Sequence, residues 1–205
     1  RIASILKRVE GELAFLKESA KKLSQIPDIN PEAPTIVVAG YANVGKSSFV
    51  QRVSTAEPKI APYPFTTKEI VIGHREEDGV KVQVIDTPGL LDRPLSKRNK
   101  AERQAILALK HLADVIIFIL DPSETCGYPL EKQLNLLTEI EGAFIDTPIL
   151  LVVNKVDVCP PEKLSECLLK LGGREVFKTC ALTGEGVNRV LKRALKILRE
   201  AGRLE

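Results

Sequence analysis

Several features are scarce in this chain of 205 residues. It has no tryptophan and only 4% aromatic residues, which gives little sign of a surface that stacks nucleic-acid bases. Its longest apolar runs, Val115–Leu120 and Ile149–Val153, are far shorter than the ~18–20 residues of a membrane-spanning helix, so no membrane contact is expected. The net charge of +3 permits contact with nucleic acid without arguing for it, and we expect no DNA binding.

Features of secreted and metal-binding proteins are also scarce. No charged leader with an apolar stretch and a small-residue cleavage site is visible, so secretion is not indicated. The chain has no methionine and begins with Arg1, so we expect a fragment or a processed form. There are two histidines, and the four cysteines match no zinc or redox pattern: Cys126, Cys159, Cys167 and Cys180. We interpret them as reduced thiols in a cytoplasmic protein.

The first 34 residues differ in pattern from the rest. Residues 1–26 predict an amphipathic helix whose apolar seam repeats every seven residues: Ile2, Leu6, Val9, Leu13, Leu16, Ala20 and Leu23. We expect this helix to be part of an N-terminal helical domain and to pack on further helices, although an intermolecular coiled coil is an alternative. Residues 27–34 are predicted to form a linker, because proline and polar residues dominate them.

Residues 35–205 alternate between strand and helix patterns. Six strands are predicted at residues 35–39, 69–73, 81–85, 115–120, 149–153 and 175–180, and helices begin near Lys46, Ser96, Leu130, Glu162 and Glu185. The second and third strands are joined by a short turn containing Asp78 and Gly79, which predicts one antiparallel pair. The fold class is therefore α/β: a three-layer nucleotide-binding domain with a mostly parallel six-stranded sheet.

Residues 40–47 fit the phosphate-loop motif G-x-x-x-x-G-K-[ST], between a predicted buried strand and a predicted helix. Glycines let the backbone curl so that its N–H groups point at phosphate oxygens, and the helix N-terminus adds positive potential. Lys46 is expected on the β- and γ-phosphates and Ser47 on Mg²⁺. The expected phosphate-binding residues are Gly40, Ala42, Asn43, Val44, Gly45, Lys46, Ser47 and Ser48.

Two further segments are expected to respond to the γ-phosphate. Asp86, in the sequence Asp-Thr-Pro-Gly at a strand end, can hold Mg²⁺, and the Gly89 N–H can contact the γ-phosphate. Residues 61–68 contain paired threonines, of which Thr67 is the expected Mg²⁺ ligand. The alternative is that Thr66 and Thr67 merely lead into the next strand.

The choice of base is predicted from residues 154–157, Asn-Lys-Val-Asp, at the end of the fifth predicted strand. The Asp157 carboxylate can accept hydrogen bonds from the N1–H and N2–H₂ edge of guanine, a discrimination worth about 10⁴–10⁵. The stem of Lys155 can cover the base, and Asn154 belongs to the same motif. An Asx-type turn is the alternative. Cys180, Ala181 and Leu182 end the last strand, and the Ala181 N–H is expected near guanine O6.

Together these motifs resemble the translation-factor-related GTPases. Residues 40–48 and 62–67 resemble the Obg-like branch, and residues 86–99 and 121–130 resemble the nucleolar GTP-binding protein family, particularly its shorter archaeal members. This resemblance implies a helical segment before a GTPase domain. It also implies a role in assembly of the large ribosomal subunit, with a subunit precursor or ribosomal RNA as the partner.

The expected catalytic residues are Lys46, Thr67, Gly89 and Asn43. Leu90 stands where Ras-like enzymes have the glutamine that orients water, which predicts slow intrinsic turnover. The resemblance implies that Asn43 can help to bind K⁺ in place of an arginine finger; the alternative is that it braces the switch loops. Two rival functions remain: a GTP-dependent docking module with negligible hydrolysis, and an ATP-dependent enzyme, which Asp157 disfavours.

Basic residues cluster in two places that could contact ribosomal RNA. The first run comprises Lys97, Arg98, Lys100 and Arg103, and the final predicted helix carries Lys192, Arg193, Lys196 and Arg199. For the final helix, a solvated face is the favoured interpretation.

Overall fold

The computed structural model describes residues 29–63 and 69–204. They form a seven-stranded sheet: β1 (Thr35–Ala39), β2 (Lys59–Pro62), β3 (Glu69–Glu77), β4 (Val80–Asp86), β5 (Val115–Leu120), β6 (Ile149–Val153) and β7 (Val176–Lys178). The strand order is β2-β3-β4-β1-β5-β6-β7, and the sheet is parallel except where β3 pairs with β2 and β4. The predicted α/β class is confirmed, and the predicted antiparallel pair is that of β3 with β4. The pairing of β2 with β3 is a second antiparallel pair, which was not predicted. The helix predicted at residues 1–26 lies outside the described residues. So does Thr67, the expected Mg²⁺ ligand.

The predicted count of six strands was wrong by one. β2 is short, lies at the sheet edge and has an exposed surface, and it ends on Pro62. Such a strand shows no alternation between apolar and polar residues, and proline cannot donate to a sheet ladder. Pairing with β3 is what makes it a strand.

Five α-helices are described: α1 (Lys46–Val53), α2 (Lys100–Leu112), α3 (Leu130–Ala143), α4 (Pro161–Lys170) and α5 (Val187–Glu200). Four begin within two residues of their predicted starts. The helix expected near Ser96 begins later, because Leu95–Lys97 form a 3-10 turn and Asn99 caps α2. The Asn99 side chain accepts from the Glu102 N–H, and the Glu102 side chain accepts from the Asn99 N–H.

The centre of the sheet is buried on both faces. All residues of β1 and β5 are buried, as expected for parallel strands covered by helices on both sides. The hairpin between β3 and β4 turns at Asp78 and Gly79, which both have positive φ, as a two-residue type I′ turn requires.

A second apolar cluster lies beside this main core. It contains Tyr63, Ile70, Ile72, Ile85, Leu90 and Ala105, with Ile29 and Ala108 packed against it. The predicted linker is attached to the sheet by the backbone of Asn30, which exchanges two hydrogen bonds with the Gln83 side chain. The chain therefore enters the domain beside the segment that follows Gly89.

Candidate functional site

The phosphate loop leaves the carboxyl end of β1 and enters α1. Asn43 and Gly45 both have positive φ, 63° and 106°. A Cβ at Gly40 would lie 2.4 Å from the Ile119 carbonyl oxygen, and one at Gly45 would lie 2.2 Å from Asn154 Nδ2. Only glycine fits these two positions, so the curled backbone that the motif predicts is present.

Lys46 lies at the floor of this loop and is buried. Its ammonium donates to the Tyr41 carbonyl oxygen at 2.8 Å. Burial lowers the pKa of Lys46, and the nearby Asp86 carboxylate opposes that shift. A cation held in this way gains strongly from an anion in the pocket.

Ser47 and Asp86 meet next to Lys46. The Ser47 hydroxyl donates to Asp86 Oδ2 at 2.7 Å. The other carboxylate oxygen, Asp86 Oδ1, and the Thr87 hydroxyl are buried without a hydrogen-bond partner. Burial raises the pKa of Asp86, while Lys46 and Ser47 oppose the rise. A hydroxyl beside a carboxylate with an unsatisfied oxygen fits the oxygen ligands that Mg²⁺ prefers.

Asn154 joins the phosphate loop to the segment that follows β7. Its Nδ2 donates to the Val44 carbonyl at 2.8 Å, and its Oδ1 accepts from the Ala181 N–H at 2.8 Å and from the Thr179 hydroxyl at 3.0 Å. The Ala181 N–H, which we expected to be available for guanine O6, is therefore already donating to Asn154. Contact with O6 would have to share or displace that bond.

Lys155 lies beside the pocket and has a left-handed backbone conformation, with φ 58°. Its ammonium contacts Asp121 Oδ2 at 2.8 Å and the Thr125 hydroxyl at 2.9 Å. Lys155 also lines the pocket described below, as the prediction that its stem covers a base requires. Asp157, two residues on, is exposed at the rim.

Asp121 was not among the predicted site residues, although it opens the segment that resembles the family. It is fully buried and also accepts from Ser123, Thr125 and the Cys126 N–H. Burial opposes ionisation, but hydrogen bonds from Lys155 and Ser123 outweigh it and hold the pKa of Asp121 below its ordinary value. Asp121 therefore positions Lys155.

These elements enclose a pocket of about 510 Å³, within the usual range of small-ligand sites. Twelve residues line it: Asn43, Gly45, Lys46, Ser47, Ser48, Asn154, Lys155, Asp157, Val158, Cys180, Ala181 and Leu182. The remaining predicted residues in the described part of the chain do not line it: Gly40, Ala42, Val44, Asp86 and Gly89. Of these, Asp86 touches the lining through Ser47, and Val44 through Asn154.

The segment after β4 is held by its own side chains. The Gly89 N–H donates to Asp92 Oδ2 at 2.8 Å. Leu90 is fully buried in the second apolar cluster. Arg98, which we had grouped with a surface basic run, has no exposed side-chain surface and instead donates to Gly89 O and Asp92. The proposed basic surface therefore loses that residue.

No helix within residues 29–63 and 69–204 has the length and apolar character needed to span a bilayer.

Comparison with known proteins gives a consistent family. The family model for nucleolar GTP-binding protein 1 matches residues 100–157. Nucleolar GTP-binding protein 1 of Drosophila melanogaster is 43% identical over 166 residues, which are 81% of this chain and 26% of that protein. An uncharacterized protein of Methanocaldococcus jannaschii is 47% identical over 164 residues, 80% of this chain and 45% of that one. The chain thus spans less than half the length of these relatives.

Solved structures agree. A Plasmodium falciparum structure assigned to nucleolar GTP-binding protein 1 has a TM-score of 0.72 and 36% identity, covering 86% of this chain and 92% of that one. The G domain of the FeoB iron transporter of T. maritima has a TM-score of 0.63 and 27% identity, covering 80% and 98%. The pocket, the sheet and these matches lead to one conclusion: the chain belongs to the nucleolar GTP-binding protein 1 family.

Proposed function

We propose that this chain binds GTP and GDP, hydrolyses GTP to GDP and phosphate, and changes shape when the γ-phosphate is lost. One observation carries the proposal. A buried ammonium at Lys46 and a carboxylate at Asp157 lie on the same pocket, so one end suits phosphates and the other a guanine edge. Relatives of this chain are named as GTP-binding proteins.

Ser47 and Asp86 would hold Mg²⁺, and Thr67 is proposed as a further ligand when the γ-phosphate is present. The unsatisfied Oδ1 of Asp86 supports this assignment. When bound, Mg²⁺ neutralises charge on the β- and γ-phosphates. The residues of the chain then do the rest: Lys46 binds phosphate oxygens, and the Gly89 N–H contacts the γ-phosphate.

Intrinsic hydrolysis is expected to be slow. Leu90 is packed in an apolar cluster and has no group that could orient water. Asn43 is exposed and lines the pocket, which makes it the residue to test for a K⁺ contribution.

Single-turnover GTP hydrolysis tests both points. We expect Pᵢ release that requires Mg²⁺ and is faster in K⁺ than in Na⁺, with Asn43→Ala removing the difference between the two ions. The matched control is Asn188→Ala, because Asn188 is exposed on α5 and outside the pocket. Equal rates in the two salts would refute the K⁺ role. No Pᵢ release even in the presence of ribosomal particles would favour the alternative, a GTP-dependent docking module.

The partner we propose is a precursor of the large ribosomal subunit or its RNA. Lys97, Lys100 and Arg103 flank the segment that would respond to the γ-phosphate. Sedimentation with large ribosomal subunits should depend on whether GDP or a non-hydrolysable GTP analogue is bound, and identical sedimentation would contradict the proposal. The relatives' names say nucleolar, so cell fractionation must also test the cytoplasmic location predicted from the cysteines.

A further inference from the structure

The N–H group that would contact the γ-phosphate already has a partner within the chain. Gly89 N donates to Asp92 Oδ2 at 2.8 Å, three residues further along. A carboxylate oxygen resembles a phosphate oxygen as a charged hydrogen-bond acceptor. Asp92 therefore satisfies the donor that GTP would need.

The Asp92 carboxylate is held in place from its other side. Arg98 is 3% exposed as a residue, and its guanidinium donates to Asp92 Oδ1 at 3.3 Å and to the Gly89 carbonyl at 2.5 Å. One buried cation thus ties both ends of the turn together. A carboxylate fixed by two partners is a stronger competitor than a freely rotating one, because little further ordering is needed.

Arg98 is itself positioned by the start of α2. Arg98 directly precedes the cap residue Asn99, and it donates a third hydrogen bond to the Arg93 carbonyl at 3.0 Å. Glu102 pairs with Arg93 at 2.6 Å and lies 3.9 Å from Arg98. The turn is therefore part of a network that includes the helix.

Asp92 also lies within electrostatic reach of the phosphate end of the pocket. Its charge acts on both Lys46 and Asp86, where it favours the protonated form of each group. A γ-phosphate that enters beside Lys46 and contacts Gly89 would be repelled by the negative charge of Asp92. GDP has no γ-phosphate and needs no contact with Gly89.

We propose that Asp92 is a specificity-determining residue that substitutes for the γ-phosphate at Gly89 and thereby favours GDP over GTP. GTP binding then requires Asp92 to leave the Gly89 N–H, and GDP binding does not. The inference rests on the proposed function, since it presupposes a guanine nucleotide in the pocket. The alternative is that Asp92 only stabilises a local turn.

Equilibrium titration of the full chain with fluorescent GDP and a non-hydrolysable GTP analogue, in Mg²⁺, separates these possibilities. A hydrogen bond to a charged group is worth enough that Asp92→Ala should raise the affinity for the GTP analogue relative to GDP by roughly tenfold or more. Asp92→Asn keeps an acceptor without the charge and should give a smaller rise. Asp146→Ala, an exposed aspartate in the loop after α3, should leave the ratio unchanged.

An unchanged or lowered ratio in a folded Asp92→Ala protein would overturn the proposal. A second measurement does not need nucleotide discrimination: in the GDP-bound or nucleotide-free protein, the Gly89 amide proton should exchange slowly with solvent, and faster in Asp92→Ala. Fast exchange in the wild type would also refute the inference. If the wild type binds neither nucleotide, the proposed function fails. If it binds both and Asp92→Ala leaves their affinity ratio unchanged, only the present inference fails.

Discussion

Single residues set the shape of the pocket through contacts with residues far away in sequence. Asn154 is the main example, because one side chain bonds Val44, 110 positions earlier, and Ala181, 27 positions later. The motif of residues 154–157 could be recognised from sequence because its chemistry is local. The role of Asp121 could not, because it depends on Lys155, which lies far away in sequence. The role of Asp92 depends on how the turn folds, which brings Gly89 and Arg98 to its carboxylate.

Asp121 should make the free energy of unfolding depend on pH in the acid range. Its folded pKa lies below the ordinary value of 3.8, so its stabilisation is complete above that value and is lost as the pH falls through the folded pKa. We expect wild type to lose more unfolding free energy than Asp121→Asn between about pH 5 and about pH 3. Urea denaturation at both pH values measures this.

The same substitution tests the positioning of Lys155. Asparagine keeps an oxygen acceptor but removes the charge, so the Lys155 ammonium loses its ion pair at 2.8 Å, and affinity for GDP should fall roughly tenfold. This role would be contradicted if the free energy of unfolding had the same pH dependence in wild type and Asp121→Asn and the affinity for GDP were unchanged.

The four cysteines should differ strongly in reactivity. Cys126, Cys167 and Cys180 are buried, whereas Cys159 is partly exposed, and burial raises the pKa of Cys167 to about 11. Since the thiolate is the reactive form, Cys167 should be almost inert to a thiol reagent at about pH 8. We expect one fast thiol, removed by Cys159→Ser, and slower labelling of Cys180 when GDP is bound. A fast phase that remains in Cys159→Ser would show that Cys126, Cys167 or Cys180 is accessible to the reagent and not buried.

At the scale of elements, sequence prediction succeeded where burial is uniform. β1, β5 and β6 were predicted with their observed bounds, because all their residues except Thr35 are apolar and all except Ile149 are buried. β2 was missed because its pairing with β3, and not its composition, makes it a strand. The start of α2 was placed too early because a 3-10 turn precedes the true cap at Asn99.

The cap of α2 gives a prediction at this scale. Asn99→Ala removes the acceptor of the Glu102 N–H and should lower the free energy of unfolding by about 1 kcal/mol. Because Arg98 precedes the cap, the substitution should also increase hydrogen exchange at Gly89. Asn188→Ala, on the exposed face of α5, is the control. Equal stability of the two variants would show that the capping box contributes nothing.

At the scale of the whole molecule, the sheet brings together four segments that are far apart in sequence, at the carboxyl ends of β1, β4, β6 and β7. The phosphate loop follows β1, Asp86 is the last residue of β4, and Asn154 and Ala181 follow β6 and β7, as expected where parallel strands end together. The second apolar cluster extends this arrangement, since Leu90 and Ile29 pack in it together. This cluster therefore connects the residue after Gly89 with Ile29, the first residue that the structure describes.

The central claim is that one pocket binds phosphates at Lys46 and recognises guanine at Asp157. Calorimetric titration with GDP and ADP in Mg²⁺ tests it most directly. The account predicts that GDP binds at least ~10³-fold more tightly than ADP, and that Asp157→Asn abolishes most of this preference. Equal affinities for GDP and ADP in the wild-type protein would contradict it.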